Sequence, residues 1–122
     1  MNKRILVVED QEDNRQIVRD LLTVNDYEII EAENGEEALA AVVKSRPDLI
    51  LMDIQLPVMD GYEATRRIRA MEELKNLPII ALTAKAMKGD REKCMEAGAS
   101  DYITKPIDAQ QLVSLLRVWL YL

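Results

Sequence analysis

Five polar residues directly follow short apolar runs in the sequence or come one or two residues later. They are Glu9, Asp10, Asp53, Thr83 and Lys105. Three carboxylates in one crevice repel one another unless a cation neutralises them. A site with few oxygen ligands and room for water suits Mg²⁺ better than a cage made only of protein atoms. These residue types therefore predict an acidic magnesium site, provided that the fold brings them together.

The acid that ends the third apolar run points to a second kind of chemistry. Glu9 and Asp10 have a simpler explanation as caps of the following helix, where acidic side chains are favoured. Capping does not explain Asp53, which ends an otherwise apolar run. A carboxylate can attack phosphorus and form an aspartyl phosphate. That reaction needs a metal and further groups for the phosphoryl oxygens, and Lys105 and Thr83 supply a compact charge and a hydroxyl.

The composition argues against several other kinds of site. The 122 residues contain no histidine and one cysteine, Cys94. Zinc and copper sites, and Ser-His or Cys-His catalysis, depend on those side chains. Any metal must therefore be bound by oxygen, as Mg²⁺, Mn²⁺ and Ca²⁺ are. A single cysteine cannot form an internal disulfide, which agrees with a reducing compartment, and we expect a cytoplasmic protein.

Charge and hydropathy limit the partners. The net charge is −6, and the densest basic group, Arg66, Arg67 and Arg69, lies among glutamates. That pattern indicates a solvated helix face, so no nucleic acid is expected as a partner. No apolar run approaches the roughly 20 residues of a membrane span, and the first run is too short for a signal peptide. We therefore expect no membrane partner.

Short apolar runs alternate with amphipathic stretches along the chain. The runs are Ile5–Val8, Tyr27–Ile30, Leu49–Met52, Ile79–Leu82 and Tyr102–Ile103. The amphipathic sets are Ile17, Val18, Leu21 and Leu22; Ala38, Leu39, Val42 and Val43; Ala64, Ile68 and Met71; and Leu112, Leu115, Leu116 and Trp119. Strands that alternate with helices predict a parallel sheet buried between two helical layers. Ligands bind such sheets at the carboxyl ends of the strands, where the five polar residues stand.

Turn residues indicate where helices begin and end. Asp60-Gly61 predicts the start of the third helix, and Gly98 a left-handed cap after a weaker fourth helix, Lys88–Ala97. The last helix is predicted over Asp108–Leu122. Besides its core stripe it carries further apolar residues such as Val118. They form either a wide buried stripe or a face for a partner or a second copy.

Five segments of the chain are specific in combination. They are ILVVED at 5–10, PDLILMD at 47–53, LPVMDG at 56–61, LTA at 82–84 and AGASDYITKP at 97–106. Together they resemble the response-regulator receiver domain of the CheY-like family. The resemblance implies an α/β, flavodoxin-like doubly wound (βα)5 sandwich, with a five-stranded parallel sheet of order 2-1-3-4-5 and helices on both faces. It also implies a single receiver domain over residues 1–122, with no output domain.

The resemblance assigns roles to the acidic residues. It implies that Asp53 is the phosphoacceptor, and that Asp10, Asp53 and the backbone carbonyl of Gln55 bind the metal. The cofactor would be Mg²⁺, with Mn²⁺ as a substitute. Glu9 matches the second acid, which usually reaches the metal through water; the family often has Asp at this position.

The remaining roles concern switching. Thr83 matches a hydroxyl that moves toward the phosphate, and Tyr102 an aromatic that rotates inward with it. The alternative for Tyr102 is a space-filling strand residue with its hydroxyl at solvent. Lys105 matches the lysine of the family pattern, in front of a Lys105-Pro106 bond that is typically cis. The side chains of Gln55 and Lys85 are expected to set the lifetime of the acyl phosphate.

These roles imply a single-domain response regulator of two-component phosphorelay signal transduction rather than an enzyme. The phosphoryl donor would be a sensor histidine kinase or a histidine phosphotransfer protein. A downstream protein target would bind the face formed by helix 4, strand 5 and helix 5 after phosphorylation shifts an inactive–active equilibrium. The chain would be a monomer or a weak homodimer, and would assist only its own phosphorylation and dephosphorylation.

Three alternatives compete with this interpretation. The receiver module of a hybrid histidine kinase shares much of the pattern, although the segment AMKGD at 86–90 resembles stand-alone division-control regulators. A Mg²⁺-dependent phosphatase with an aspartyl-phosphate intermediate commonly has a second Asp where this chain has Gln55. A scaffold that had lost the chemistry would lack an acid, the threonine or the lysine, and the sequence contains all of them.

Overall fold

The alternation of strands and helices is described by a computed structural model over residues 2–84 and 90–121. The strands are β1 (Arg4–Val8), β2 (Glu28–Ala32), β3 (Leu49–Asp53), β4 (Ile79–Thr83) and β5 (Asp101–Thr104). The helices are α1 (Glu12–Val24), α2 (Gly35–Ser45), α3 (Gly61–Arg69), α4 (Asp90–Ala97) and α5 (Ala109–Tyr121), with a 3₁₀ turn at Glu72–Leu74. Lys85 and positions 86–89 of the AMKGD segment lie outside the described residues.

All neighbouring strands pair in parallel, in the order β2-β1-β3-β4-β5. This confirms the predicted doubly wound α/β fold. The chain first winds from β1 to β2 and then returns across β1 to β3, so the direction reverses between β1 and β3. Val8, the last residue of β1, pairs with Met52, and Asp53 follows Met52 as the last residue of β3. A ligand site is expected in the crevice beyond them.

Each face of the sheet buries its own set of apolar side chains, because successive strand residues point to opposite faces. On one face, residues such as Leu6 and Ile50 pack with Val42 of α2 and Ile68 of α3. The other face packs against α1 and α5 through a second cluster, which includes Ile5, Leu51, Val18, Leu22 and Leu112. Strands β3 and β4 are buried along their whole length. Their uninterrupted apolar sequence follows from cover on both faces.

Fewer helix residues are buried than the amphipathic sequence pattern predicts. Ile17 of α1 is 61% exposed and Val43 of α2 is 60% exposed, although both belong to predicted amphipathic sets. In each helix only part of the apolar face contacts the sheet: Val18 and Leu22 of α1, and Ala38 and Val42 of α2, are buried. Val118 of α5 is 45% exposed, so part of its apolar surface also lies outside the core.

Local hydrogen bonds fix the helix ends close to their predicted positions. The side chain of Asp60 accepts from Glu63 N at 2.9 Å, and α3 begins at the next residue. Asp108 accepts from Gln111 N at 3.0 Å in the same way, so α5 begins one residue later than predicted. Gly98 has φ +111°, which confirms the left-handed position after α4.

Helix α5 is also linked to the last strand by a side-chain hydrogen bond. The indole Nε1 of Trp119 donates to Asp101 Oδ2 at 3.2 Å. The other carboxylate oxygen, Oδ1, accepts from the backbone N–H of Tyr102 at 2.8 Å. Asp101 therefore connects the packing of α5 to the strand that carries Tyr102.

Candidate metal centre

Three carboxylates meet at the crevice between β1 and β3. Glu9, Asp10 and Asp53 each offer one oxygen atom, and these atoms all lie within 4.8 Å of one another. Glu9 and Asp53 are both 2% exposed, whereas Asp10 is open to solvent. The parallel pairing of β1 with β3 accounts for the meeting, because these acids stand at or just beyond the ends of the two strands.

A single ammonium group contacts two of the three acids. Lys105 Nζ lies 2.9 Å from Glu9 Oε1 and 3.1 Å from Asp53 Oδ2. The lysine follows β5, its backbone N–H donates to the carbonyl of Thr83 at 2.7 Å, and the Lys105-Pro106 bond is cis, as expected. Burial lowers the pKa of Lys105, but the hydrogen bond to Glu9 and the charge of Asp53 outweigh burial and raise it. Lys105 therefore carries its charge at neutral pH.

The donor set of this cluster fits a divalent cation bound by oxygen. Three carboxylates and the one ammonium of Lys105 leave a surplus of two negative charges. Although Asp10 is exposed, partial loss of its hydration beside the other acids, together with a hydrogen bond and repulsion from Glu9, raises its pKa. The surplus charge and the absence of nitrogen or sulfur donors among the three acids favour Mg²⁺ or Mn²⁺.

The alternative role of the two acids as helix caps is only partly supported. Glu9 Oε2 accepts from Gln11 N at 3.2 Å, just in front of α1. Gln11 is the N-cap residue, and its own side chain makes no capping hydrogen bond. Glu9 thus stabilises the approach to the helix with one oxygen and contacts Lys105 with the other.

The loop after β3 surrounds the acid that ends the strand. The backbone N–H of Gln55 donates to Asp53 Oδ1 at 3.1 Å, so Gln55 lies beside the carboxylate. Gly61, at the start of α3, packs against the strand end. A Cβ atom on it would lie 2.3 Å from the carbonyl oxygen of Asp53. Only glycine fits there without movement of the backbone.

The two predicted switch residues lie on neighbouring strands, Thr83 at the end of β4 and Tyr102 near the start of β5. Thr83 is 3% exposed, and its hydroxyl donates to the carbonyl of Ile103 at 3.5 Å rather than to a carboxylate. Tyr102 is half-buried and packs against the cluster of Ile54, Ala81, Cys94 and Ala99. The guanidinium carbon of Arg91 lies 5.9 Å from its ring centroid. The roles of Thr83 and Tyr102 stay predictions.

Arg15 belongs to the same end of the sheet, and sequence reasoning missed it. It is 7% exposed, and its guanidinium donates to the backbone carbonyl of Glu9 at 2.8 Å. Burial alone would lower the pKa of Arg15, but its hydrogen bond to Glu12 and the charges of neighbouring glutamates raise it. The available signal was a charged residue in register with Val18 and Leu22 on the buried stripe of α1.

Comparisons with known proteins agree with the fold and with the acidic cluster. A family model, response regulator receiver domain, matches residues 5–117. The polar-differentiation response regulator DivK of Brucella anthropi is 44% identical over 120 residues, covering 98% of each chain. The receiver domain of sensor histidine kinase PA1611 from Pseudomonas aeruginosa, solved with a magnesium ion coordinated in the active site cleft, is 42% identical over 98% of each chain, with a TM-score of 0.91.

A further solved relative bears on partners. It is a chain of the Saccharomyces cerevisiae co-crystal structure of the histidine phosphotransfer signaling protein Ypd1 with the receiver domain of the response regulator Ssk1. The identity is 32%, the TM-score is 0.91, and the match covers 98% of this chain and 89% of that one. In addition, none of the helices within residues 2–84 and 90–121 has the length and apolar character needed to span a membrane.

Proposed function

Because the chain belongs to the response regulator receiver domain family of two-component signalling, we propose that it accepts a phosphoryl group on Asp53 and acts as a switch. The observation that carries this proposal is the position of Asp53. Its carboxylate is 2% exposed, contacts Lys105 at 3.1 Å, and belongs to a cluster with two further acids. It thus combines a nucleophile with charges that can bind a phosphate and a metal.

The transfer would be an in-line displacement at phosphorus. A carboxylate oxygen of Asp53 forms the new O–P bond, and the P–N bond of the donor's phosphohistidine breaks. The electron pair of that bond stays on the imidazole, which leaves as the neutral donor histidine when its other nitrogen is protonated. Lys105 stabilises the charge on the transferred group. The backbone N–H of Gln55 holds Oδ1 of Asp53, and thereby orients the carboxylate.

Asp10, Asp53 and the Gln55 carbonyl would hold Mg²⁺ or Mn²⁺, with Glu9 contributing through water. When bound, the ion supplies positive charge to the phosphoryl oxygens. Support comes from the surplus negative charge of the three acids and from the magnesium ion in the PA1611 receiver domain. In this arrangement Lys105 is not a metal ligand, so its ammonium, 3.1 Å from Asp53 Oδ2, can bind an oxygen of the transferred phosphoryl group.

Partners and output follow from the same chemistry. We infer that the donor is a sensor histidine kinase or a histidine phosphotransfer protein, which the Ypd1 co-crystal structure of a relative supports. Thr83 and Tyr102 would pass the signal to the surface of α4, β5 and α5, where a protein target binds. The proposal is supported by the burial of Thr83 at the end of β4 and by the position of half-buried Tyr102 on the adjacent strand β5. We expect this to occur in the cytoplasm.

Phosphorylation by a small donor tests the acceptor directly. The protein is incubated with acetyl phosphate and Mg²⁺, and its intact mass is measured. The wild type should gain one phosphoryl group, and Asp53→Asn should gain none. Asp48→Asn is the matched control, because Asp48 immediately precedes β3 and so lies at the end of the strand opposite to Asp53. A wild type that stays unmodified with acetyl phosphate and with phosphohistidine donors would overturn the proposal, as would an adduct that persists in Asp53→Asn.

A second candidate is the receiver module of a hybrid histidine kinase. The 42% identity to the PA1611 receiver domain favours it about as much as the 44% identity to DivK favours a stand-alone regulator of one domain. We propose the stand-alone form. An immunoblot of the native protein decides between them, because a hybrid kinase would migrate at several times 13.9 kDa.

A further inference from the structure

A buried arginine fixes the backbone that carries two of the acids. Arg15 is on the buried side of α1, and its Nη1 donates to the carbonyl of Glu9 at 2.8 Å. The N–H of Glu9 donates to the carbonyl of Ala32 at 3.0 Å. Both main-chain groups of Glu9 are therefore occupied. The Glu9 carbonyl belongs to the peptide group shared with Asp10, so its orientation affects the direction of both acidic side chains.

Three carboxylates, from β2, the loop after β2 and the first turn of α1, hold the guanidinium in place. Arg15 Nε lies 3.3 Å from Glu31 Oε1, and Nη2 lies 3.3 Å from Glu33 Oε1 and also contacts Glu12. Glu31 belongs to β2 and Glu33 follows it. The planar guanidinium can serve several acceptors at once in a fixed geometry. It therefore joins the ends of β1 and β2.

We propose that Arg15 is a positioning residue for the metal centre, holding the Glu9–Asp10 peptide so that both carboxylates face Asp53. This inference rests on the Mg²⁺ site of the proposed function. Its chemistry is indirect, because Arg15 contacts a backbone carbonyl and not the metal-binding oxygens. Loss of such outer contacts typically lowers metal affinity by about 10- to 100-fold.

Arg19 provides a control with similar charge interactions. It lies one turn further along α1 and forms ion pairs with Glu12 at 3.1 Å and Glu31 at 2.7 Å. Within the described part of the chain, the guanidinium of Arg19 donates only to side chains, whereas that of Arg15 also binds the backbone of Glu9. Removal of either cation makes the surroundings more negative, which by itself favours Mg²⁺ binding. A weaker affinity in Arg15 variants alone would therefore separate positioning from electrostatics.

The test measures metal affinity in the folded protein. Wild type, Arg15→Met, Arg15→Lys and Arg19→Met are titrated with Mg²⁺ by calorimetry and with Mn²⁺ by electron paramagnetic resonance, and circular dichroism records folding. We expect Arg15→Met to bind both ions at least about 10-fold more weakly. Arg15→Lys should also bind the ions more weakly, because one ammonium group cannot make all the hydrogen bonds of the planar guanidinium. Arg19→Met should bind as tightly as wild type or more tightly.

Two results would overturn the inference while the proposed function stands. One is wild-type affinity in folded Arg15→Met, and the other is an equal loss in Arg19→Met. If Arg15→Met does not fold, Arg15→Lys decides, because it keeps the charge and most of the side-chain volume. A wild type that binds neither ion would instead refute the metal site of the proposed function, and the inference with it.

Discussion

Lys105 Nζ lies 3.1 Å from Asp53 Oδ2, at the carboxyl ends of two strands that are separated in the sheet by β4. The same nitrogen contacts Glu9 at 2.9 Å. The ammonium thus lies between the proposed acceptor and a neighbouring acid. A phosphoryl group on Asp53 would bring new negative charge to a cation that is already in place, which reduces the cost of reorganisation during the transfer.

Replacement of this lysine should separate metal binding from phosphorylation. In Lys105→Met we expect Mg²⁺ affinity to be retained or increased, because a cation leaves the acidic cluster. The rate of phosphorylation by acetyl phosphate should fall about 100-fold or more, since a charged donor to the transferred group is lost. Calorimetry and intact-mass kinetics give the two values. Lys75→Met is the control, because among the described residues Lys75 pairs only with exposed Glu72; an unchanged rate in Lys105→Met would contradict the expectation.

Neutralisation of the exposed acid should stabilise the metal-free protein. Asp10 is exposed, but the partial loss of its hydration at the edge of the cluster, followed by the hydrogen bond to and repulsion from Glu9, raises its pKa. In Asp10→Asn we expect the free energy of unfolding in a chelator to rise by at most about 1 kcal/mol, because solvent screens an exposed charge. The added stability that Mg²⁺ gives to the wild type should disappear. Urea denaturation with and without Mg²⁺ measures both effects, and a variant that Mg²⁺ still stabilises would count against Asp10 as a ligand.

The close contact at the start of α3 predicts a variant that is folded but poorly phosphorylated. A Cβ on Gly61 would lie 2.3 Å from Asp53 O and 2.7 Å from Ile54 Cα. We expect Gly61→Ala to lose about 1–3 kcal/mol of stability and to accept phosphate more slowly, because the backbone under the acceptor must move. Gly35→Ala is the control: its Cβ would lie 2.8 Å from Met59 O, away from the acceptor. Equal phosphorylation rates, measured where both variants are folded, would show that the contact does not position Asp53.

The alkaline side of the stability profile should depend on Tyr27. Its pKa is raised above 10.0, first by burial and then by the neighbouring Tyr121. A phenol whose pKa is higher in the folded than in the unfolded state contributes stability at pH values below 10.0, and this contribution is lost as the pH rises through the folded pKa. Tyr27→Phe should therefore lose less stability than wild type between pH 8 and a pH above 10.0. Urea denaturation at both values gives the difference, and parallel losses in the two proteins would show that Tyr27 is not the cause.

Much of the fold could be predicted from the sequence because its strands are short, apolar and sharply bounded. Strands β3 and β4 follow the apolar runs closely, each extended by its terminal polar residue, Asp53 or Thr83. The prediction for β2 is less accurate, because the strand is Glu28–Ala32 rather than Tyr27–Ile30. β2 is an edge strand and is only partly buried, so it contains polar residues, and its ends cannot be recognised from an apolar run.

The part of the candidate site that lies at the ends of strands could be predicted from the sequence. The parallel register brings the strand ends that precede or carry Glu9, Asp10, Asp53 and Lys105 to the same edge of the sheet. The burial of Arg15 was not predictable in the same way. It depends on Glu31 and Glu33, which come from a neighbouring strand end and have no fixed spacing from Arg15 along the chain.

The link between Trp119 and Asp101 gives the protein an optical probe of its own. Trp119 is the one tryptophan in the sequence, so all indole emission comes from a single environment. Its ring N–H donates to Asp101, the first residue of β5 and the neighbour of Tyr102. A change in this contact between β5 and α5 alters the polarity and hydrogen bonding of the indole. Fluorescence from the unmodified chain can therefore follow, in real time and without a label, whether events at the acids reach the opposite end of β5.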